Sequence, residues 1–359
     1  MARASGAGRA SPSASALIIA GGRGSRFWPA SRELRPKPLF SVDGKESLLA
    51  ATISRLRPLI PRERVFVLVA AAHAAAFRAE VRGLIPARNL IVEPDARGTA
   101  VAIAYGSAVI RRRAGDGIVA VMPADHLIAP AAGFRRTLKD AIGLAHRHDS
   151  IVVIGITPSR AEPGLGYQEI GAAVGVGFKV ASFVEKPALA LARTMVRSGK
   201  VLWNAGMFVM SNRTLDASLR AHSPRLADAA QRIAAMPPSR LARAYRRLNF
   251  DSFDKVVIEK SADVLGVRAR FRWHDVGSWE GLWEATGDKL GNVARGNVIA
   301  LQSERYLAHS DSRLMVLFGV KDIVAVDTGD ALLIAHRSRS QDVRRVTDEL
   351  RRRRLHKYL

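Results

Sequence analysis

Leu17-Ile18-Ile19-Ala20-Gly21-Gly22-Arg23-Gly24-Ser25-Arg26-Phe27-Trp28-Pro29 is the stretch on which the fold turns. The apolar run Leu17–Ala20 suits a strand buried on both faces. It stops abruptly at glycines, which let the backbone approach a bulky anion and aim its N–H groups at it. Arg26 and Lys37 place two cations close by in sequence. A strand that runs into a Gly-rich loop with fixed cations is built to grip a polyphosphate. Two familiar phosphate loops are excluded. No Lys-Ser or Lys-Thr follows the glycines, as a P-loop requires. Gly22-Arg23-Gly24-Ser25-Arg26-Phe27 ends in Phe where a dinucleotide fingerprint needs Gly.

Working outward, further short Val- and Ile-rich runs recur at Val65–Ala70, Leu90–Val92, Ile118–Met122 and Ile151–Ile156. Between them, Ser47–Leu56, Ala71–Leu84, Thr99–Arg112 and Phe134–His146 carry helical spacing, with Thr99 placed as an N-cap. The alternation predicts an α/β, doubly wound, mostly parallel sheet. Past about residue 160 the regularity weakens. Residues 178–187 and 201–211 read as strands and 213–249 as basic, Ala-rich helices. Residues 292–336 read as short β runs broken by Gly, Asn and Asp, and 339–355 as a closing helix. The expected organisation is a tail at 1–15, a catalytic domain at 16–290 and a small β-rich, β-helix-like domain with a terminal helix at 291–359.

With 359 residues the chain can bury a large core, and no apolar run approaches a membrane span. It has no cysteine, so disulfides and thiolate metal sites are excluded, in keeping with a cytoplasmic protein. Its net charge is +24, carried mostly by arginine: only 11 of 56 basic residues are lysine. Such a charge attracts polyanions, NTPs included. Nucleic-acid motifs and aromatics interleaved with basic residues are lacking, so the runs Arg111–Arg113 and Arg351–Arg354 read as solvated surface rather than a specific nucleic-acid site.

Several constellations suit phosphate and sugar chemistry. Asp125, in Pro123-Ala124-Asp125-His126, follows a central strand, where open α/β sheets bind ligands. A lone Asp there also serves as a helix cap, and His126 reads as a packed or hydrogen-bonded residue rather than a ligand. Asp275, in Trp273-His274-Asp275-Val276-Gly277-Ser278-Trp279, supplies a second carboxylate; taken alone it reads as a turn Asp between core tryptophans, but two such oxygens plus phosphates suit Mg²⁺. Phe183-Val184-Glu185-Lys186-Pro187 offers Lys186 to a sugar phosphate and Glu185 to sugar hydroxyls, or is a surface Glu/Lys step before a Pro. Asn204, alone among apolar neighbours, is either a ligand contact or a structural clasp. Gly166 allows close backbone approach, or marks a plain turn.

The order of these pieces resembles the sugar-nucleotide pyrophosphorylases. Phe27-Trp28-Pro29, Pro-Ala-Asp-His and Asp-Val-Gly-Ser-Trp lean to the mannose-1-phosphate guanylyltransferases, over about residues 16–345. The resemblance implies transfer of GMP from GTP to mannose 1-phosphate with Mg²⁺. Arg26, Lys37 and Lys186 would be catalytic. Ala20, Gly21, Gly22, Gly24, Ser25, Glu93, Arg97 and Thr99 would hold the nucleotide, Gly166, Glu185 and Asn204 the sugar, and Asp125 and Asp275 the metal. It also implies a homodimer through the C-terminal β segment, and a single activity, since no isomerase-type domain follows. Gly98 stands where the family usually has Asn, and Lys255 where it has Tyr, which bears on base choice. A pyrophosphorylase for another NTP and sugar, and a non-catalytic regulatory homologue that binds a GDP-sugar, are the alternatives.

Overall fold

The computed structural model describes residues 13–359 apart from 22, 23, 43 and 289 and the side chain of Ser25, so most of the expected tail and Gly22 lie outside the described residues. Its strands are β1 (Ala14–Ile19), β2 (Val65–Ala70), β3 (Leu90–Glu93), β4 (Ile118–Pro123), β5 (Leu127–Ala129), β6 (Ile151–Ile156), β7 (Tyr167–Val174), β8 (Gly177–Val184), β9 (Val201–Ser211), β10 (Val264–Arg268), β11 (Arg272–His274), β12 (Val293–Leu301), β13 (Leu307–Phe318), β14 (Ile323–Asp327) and β15 (Leu332–His336). β1 begins inside the stretch expected to be a tail. Small Ala14, Ser15 and Ala16 pair with Ile118–Ala120 of β4, and Ser15 is buried although it interrupts the apolar signal.

Nine strands form one sheet in the order β3-β2-β1-β4-β9-β6-β10-β8-β7. It is mostly parallel, as expected: all but β8 and β9 run in one direction. β9 lies antiparallel between β4 and β6, a reversal that apolar periodicity cannot signal because it carries no direction. The central strands are buried on both faces, which explains their unbroken Val/Ile runs. Helices Leu48–Leu56 and Ala131–His148 cover one face with Leu49, Ile53, Phe134 and Leu138. Helix Thr99–Ala114 covers the other, buried along most of its length as its Ala-rich composition requires. Each large side chain so buried contributes about 1.5–3 kcal/mol.

Two smaller sheets complete the architecture. β5 pairs antiparallel with β11, setting Leu127 opposite His274. β12, β13 and β14 pair in parallel and β15 closes antiparallel on β14. This last sheet shares a core with the loop after β1: Phe27, Trp28 and Trp279 pack in one cluster with Leu307, Val324 and Val343. The closing helix is shorter than read, Arg344–Arg352, and follows a 3₁₀ segment, Arg337–Val343. In its basic run, Arg351 pairs with Asp348 and Glu33, and Arg352 and Arg353 with Glu349, so these cations are surface ion pairs.

Gly98, not Thr99, is the N-cap of helix Thr99–Ala114, and it forms no side-chain cap. The Thr99 hydroxyl instead accepts the Phe253 N–H at 3.0 Å. Gly98 has φ +88° and ψ 160°, and a Cβ there would lie 2.7 Å from the Phe250 carbonyl oxygen. This conformation is essentially restricted to glycine. The Asn expected from the resemblance does not fit this backbone. Gly98→Asn should therefore cost about 1–3 kcal/mol of stability, read from denaturant midpoints; an unchanged midpoint would show that the 250–251 turn yields.

Candidate active site

Ala20, fully buried, donates its N–H to the Leu68 carbonyl at 2.9 Å and ends the strand register. The chain then leaves the sheet through Gly21 and turns at Gly24, whose φ of +59° and missing Cβ let it lie on Lys37: a Cβ would sit 2.6 Å from the Cβ of Lys37. A 3₁₀ turn, Ser25–Phe27, follows, so Arg26 projects from a short, well-tied segment.

Lys37 is the centre of the site. Only 5% exposed, it donates from Nζ to Asp125 Oδ2 at 2.7 Å and to the Asp275 carbonyl oxygen at 2.9 Å. One ammonium thus joins the segment after β4 to the turn after β11. Burial pushes the Asp125 carboxyl up, but the adjacent Lys37 ammonium more than offsets this and holds it below the usual carboxylate range. Behind it, Trp273 Nε1 donates to His126 Nδ1 at 3.1 Å, and burial pushes the imidazole down to about 4. His126 is therefore neutral and packed.

The Asp275 turn is strained. Val276, fully buried, has φ +46°, an outlier for a β-branched residue. Packing of Val276 and Trp279 into the shared core and the Lys37 bond hold it there. Arg26 lies close to this turn and donates from Nη1 to Gln341 Oε1 at 3.1 Å. Among the described residues there is no group of three or more metal-binding side chains. The hard oxygens of Asp125 and Asp275 nevertheless fit Mg²⁺, which usually takes one or two carboxylates and completes its shell with phosphate and water.

A second cluster gathers Gly166, Glu185, Lys186 and Asn204. Gly166 has no room for a Cβ, which would lie 2.6 Å from Glu185 Oε2. Glu185, its side chain 7% exposed, pairs with Lys186 at 2.8 Å, and its N–H donates to Glu259 Oε1 at 2.6 Å. Lys186 holds the left-handed φ of +51°. Asn204 donates from Nδ2 to Asp254 Oδ1 at 2.7 Å and accepts the Gly206 N–H at 3.1 Å. Burial and the neighbouring Glu185 carboxylate push Asp254 up to about 7.

Glu93, 2% exposed at the end of β3, faces Gly21, whose Cβ would lie 3.4 Å from its Oε1. It accepts a 2.5 Å hydrogen bond from the Tyr245 hydroxyl, and burial pushes it up to about 7. Arg97 pairs with Asp95 at 2.8 Å and Thr99 with the Phe253 amide, so the contacts of these two run within their own neighbourhood. Sequence reading passed over Tyr245 and Gln341 and gave Asp254, beside Lys255, no role of its own. Tyr245 lies on a helix that reads only as basic and Ala-rich, Asp254 within a motif whose centre departs from the usual pattern, and Gln341 315 positions from its partner Arg26.

The nucleotidyl transferase family model matches residues 15–291 and the MannoseP isomerase/GMP-like β-helix domain matches residues 296–350. The mannose-1-phosphate guanylyltransferase of Escherichia coli strain K12 is 35% identical over 350 residues, covering 93% of this chain and 73% of that protein. The xanthan biosynthesis protein XanB of Xanthomonas campestris pv. campestris strain B100 is 35% identical over 346 residues, with the same coverage of 93% and 73%. A crystal structure titled mannose-1-phosphate geranyltransferase, from Thermus thermophilus, superposes with a TM-score of 0.86 at 32% identity over 94% of this chain and 99% of that one. The chain belongs to the nucleotidyl transferase family, in the mannose-1-phosphate guanylyltransferase branch that these relatives represent.

Proposed function

We propose that the protein transfers GMP from GTP to mannose 1-phosphate, giving GDP-mannose and pyrophosphate. The observation that carries this reading is the Lys37 ammonium, which ties Asp125 and Asp275 together beside the Gly-rich loop. A phosphate oxygen of the sugar phosphate attacks the α-phosphorus in line. The new P–O bond forms as the bond to the bridging oxygen breaks, and pyrophosphate leaves with its electron pair. A phosphate monoester has a second pKa of about 6, so the nucleophile is already ionised and needs no general base.

The task left to the protein is to position two polyanions and offset the charge that develops on the leaving group. Backbone amides from Gly21 and Gly24 to Ser25 would cradle the triphosphate, and Gly22 would complete that loop. Arg26 would neutralise it. Lys37 has already committed two of its three N–H donors to the protein, so its first role is to hold the Asp125 carboxylate and the Asp275 backbone carbonyl. Asp125 and Asp275 would hold Mg²⁺, which supplies charge neutralisation of the reacting phosphates when bound. Lys186 would meet the sugar phosphate, and Glu185, Asn204 and the backbone at Gly166 the sugar hydroxyls. Ala20, Glu93, Arg97 and Thr99 would line the nucleotide side. Guanine presents N–H donors on its Watson–Crick edge, and the Glu93 carboxylate is an acceptor that matches them.

The homodimer rests on the outer face of the C-terminal sheet. Ile299 and Leu301 of β12 stand in register with Val316 and Phe318 of β13, and all four are about half or more exposed. An apolar strip of this kind marks an interaction surface. No helix among the described residues is long and apolar enough to cross a membrane. We place the reaction in the cytoplasm, in keeping with a chain that carries no cysteine.

The direct test is pyrophosphate release with Mg²⁺ and mannose 1-phosphate across GTP, ATP, UTP and dTTP. Release with GTP alone is expected; release with another nucleotide would overturn the base assignment, and release with none the catalytic reading. A second test uses pH. Glu93 titrates near 7, and its ionised form is the acceptor the base requires. Affinity for GDP-mannose, which loses no proton in this range, should tighten by up to about tenfold between about pH 6 and about pH 8 and level off above. In Glu93→Gln that part of the rise should vanish. An affinity that is flat in the wild type, or a rise that Glu93→Gln keeps in full, contradicts the role.

A further inference from the structure

Gln341 belongs to the 3₁₀ segment Arg337–Val343, between the C-terminal sheet and the closing helix, yet its side chain ends in the candidate active site. Its Oε1 accepts from Arg26 Nη1 at 3.1 Å and its Nε2 donates to Ser278 Oγ at 3.1 Å. The guanidinium is donor only, so the amide can satisfy both neighbours in just this orientation. Each neighbour matters. Arg26 is a cation of the Gly-rich loop. Ser278 accepts the Gly281 N–H at 3.3 Å and caps the helix Trp279–Thr286, three residues after Asp275. One amide therefore touches both segments that the proposed reaction uses.

The segment that carries Gln341 is held firmly. Val343 is buried in the core shared with Phe27 and Trp279, Ser340 is fully buried, and the Arg337 guanidinium lies 4.0 Å from the Trp283 ring centroid. A side chain on such a base can fix the direction of a long, exposed arginine. Left alone, Arg26 would sample several rotamers and lose entropy on meeting a phosphate. Held at one nitrogen by a neutral acceptor, it keeps its full charge and its remaining donors for substrate.

We propose that Gln341 is a positioning residue: it aims the Arg26 guanidinium at the nucleotide phosphates and fixes it relative to the Asp275 turn, so that the C-terminal segment completes the catalytic site. This rests on the reading of Arg26 given above. The test is a double-mutant cycle on the full chain with Gln341→Met, Gln341→Ala and Arg26→Ala, following pyrophosphate release and melting. Gln341→Met, close in shape, should lower kcat about tenfold, as expected for loss of one hydrogen bond to a charged group. The KM for mannose 1-phosphate and the melting temperature should stay unchanged. Gln341→Ala should behave alike, and in the Arg26→Ala background neither should have further effect.

Wild-type kcat in both Gln341 variants, with Arg26→Ala impaired, would overturn the proposal and leave the function intact. So would a loss that persists in full without Arg26, or a fall in melting temperature with kcat unchanged, which would mark a structural clasp. Wild-type turnover in Arg26→Ala would overturn the reading of the phosphate loop itself, and this proposal with it.

Discussion

The site depends on one buried ammonium. Lys37 lies under the Gly-rich turn, where only the lack of a side chain at Gly24 makes room for it, and it binds one segment through a carboxylate and another through a carbonyl. Burying a lysine is costly unless its donors are satisfied. The bonds to the Asp125 carboxylate and the Asp275 carbonyl satisfy two of them. The same contact keeps Asp125 ionised, so the positive charge that organises the loop also maintains the negative charge opposite it. Remove the lysine and the Asp125 carboxylate loses its partner while the strained Val276 turn loses its tether.

That tether works together with packing. The loop after β1 and the Asp275 turn insert Phe27, Trp28 and Trp279 into a core whose other wall is the C-terminal sheet. Trp279 Nε1 donates to the Trp28 carbonyl at 3.0 Å, and Arg32 grips Asp330 with two nitrogens, each at 2.6 Å. The last fifth of the chain is thus not a separate appendage but the backing against which the Gly-rich loop is set. The nucleotide side and the sugar side differ in character. Under the proposed reading, glycine backbone, Arg26 and Glu93 would serve the first, and the compact cluster of Glu185, Asn204 and Asp254 lies at the second.

Much of this was legible from residues alone. The Leu17–Ala20 run that ends in glycines marks the first strand and the anion loop, and the runs at 65–70, 118–122 and 151–156 mark the strands beside it. Asp125 was singled out because a carboxylate after a central strand has a topological meaning, and the structure sets it against Lys37. The direction of β9 was not legible, since an apolar run reads alike both ways. Ser15 hid the start of β1, because a small hydroxyl can be buried in a strand without leaving an apolar signature. Thr99 was placed as a cap on local chemistry, but a tertiary partner, the Phe253 amide, took its hydroxyl. Gln341 and Tyr245 were out of reach for a general reason. Their roles come from contacts hundreds or scores of positions away, and nothing in their own neighbourhood differs from ordinary surface or helix.

The claim that a single ammonium organises the site is tested most directly by the turnover of Lys37→Met, which keeps much of the apolar stem but removes the charge and its donors. The account predicts a loss of about 10²–10³ in kcat, the scale on which a preorganised electrostatic contact acts. A variant that turns over within a few-fold of the wild type would contradict it, and would mean that Asp125 and Asp275 are held in place by the surrounding core alone.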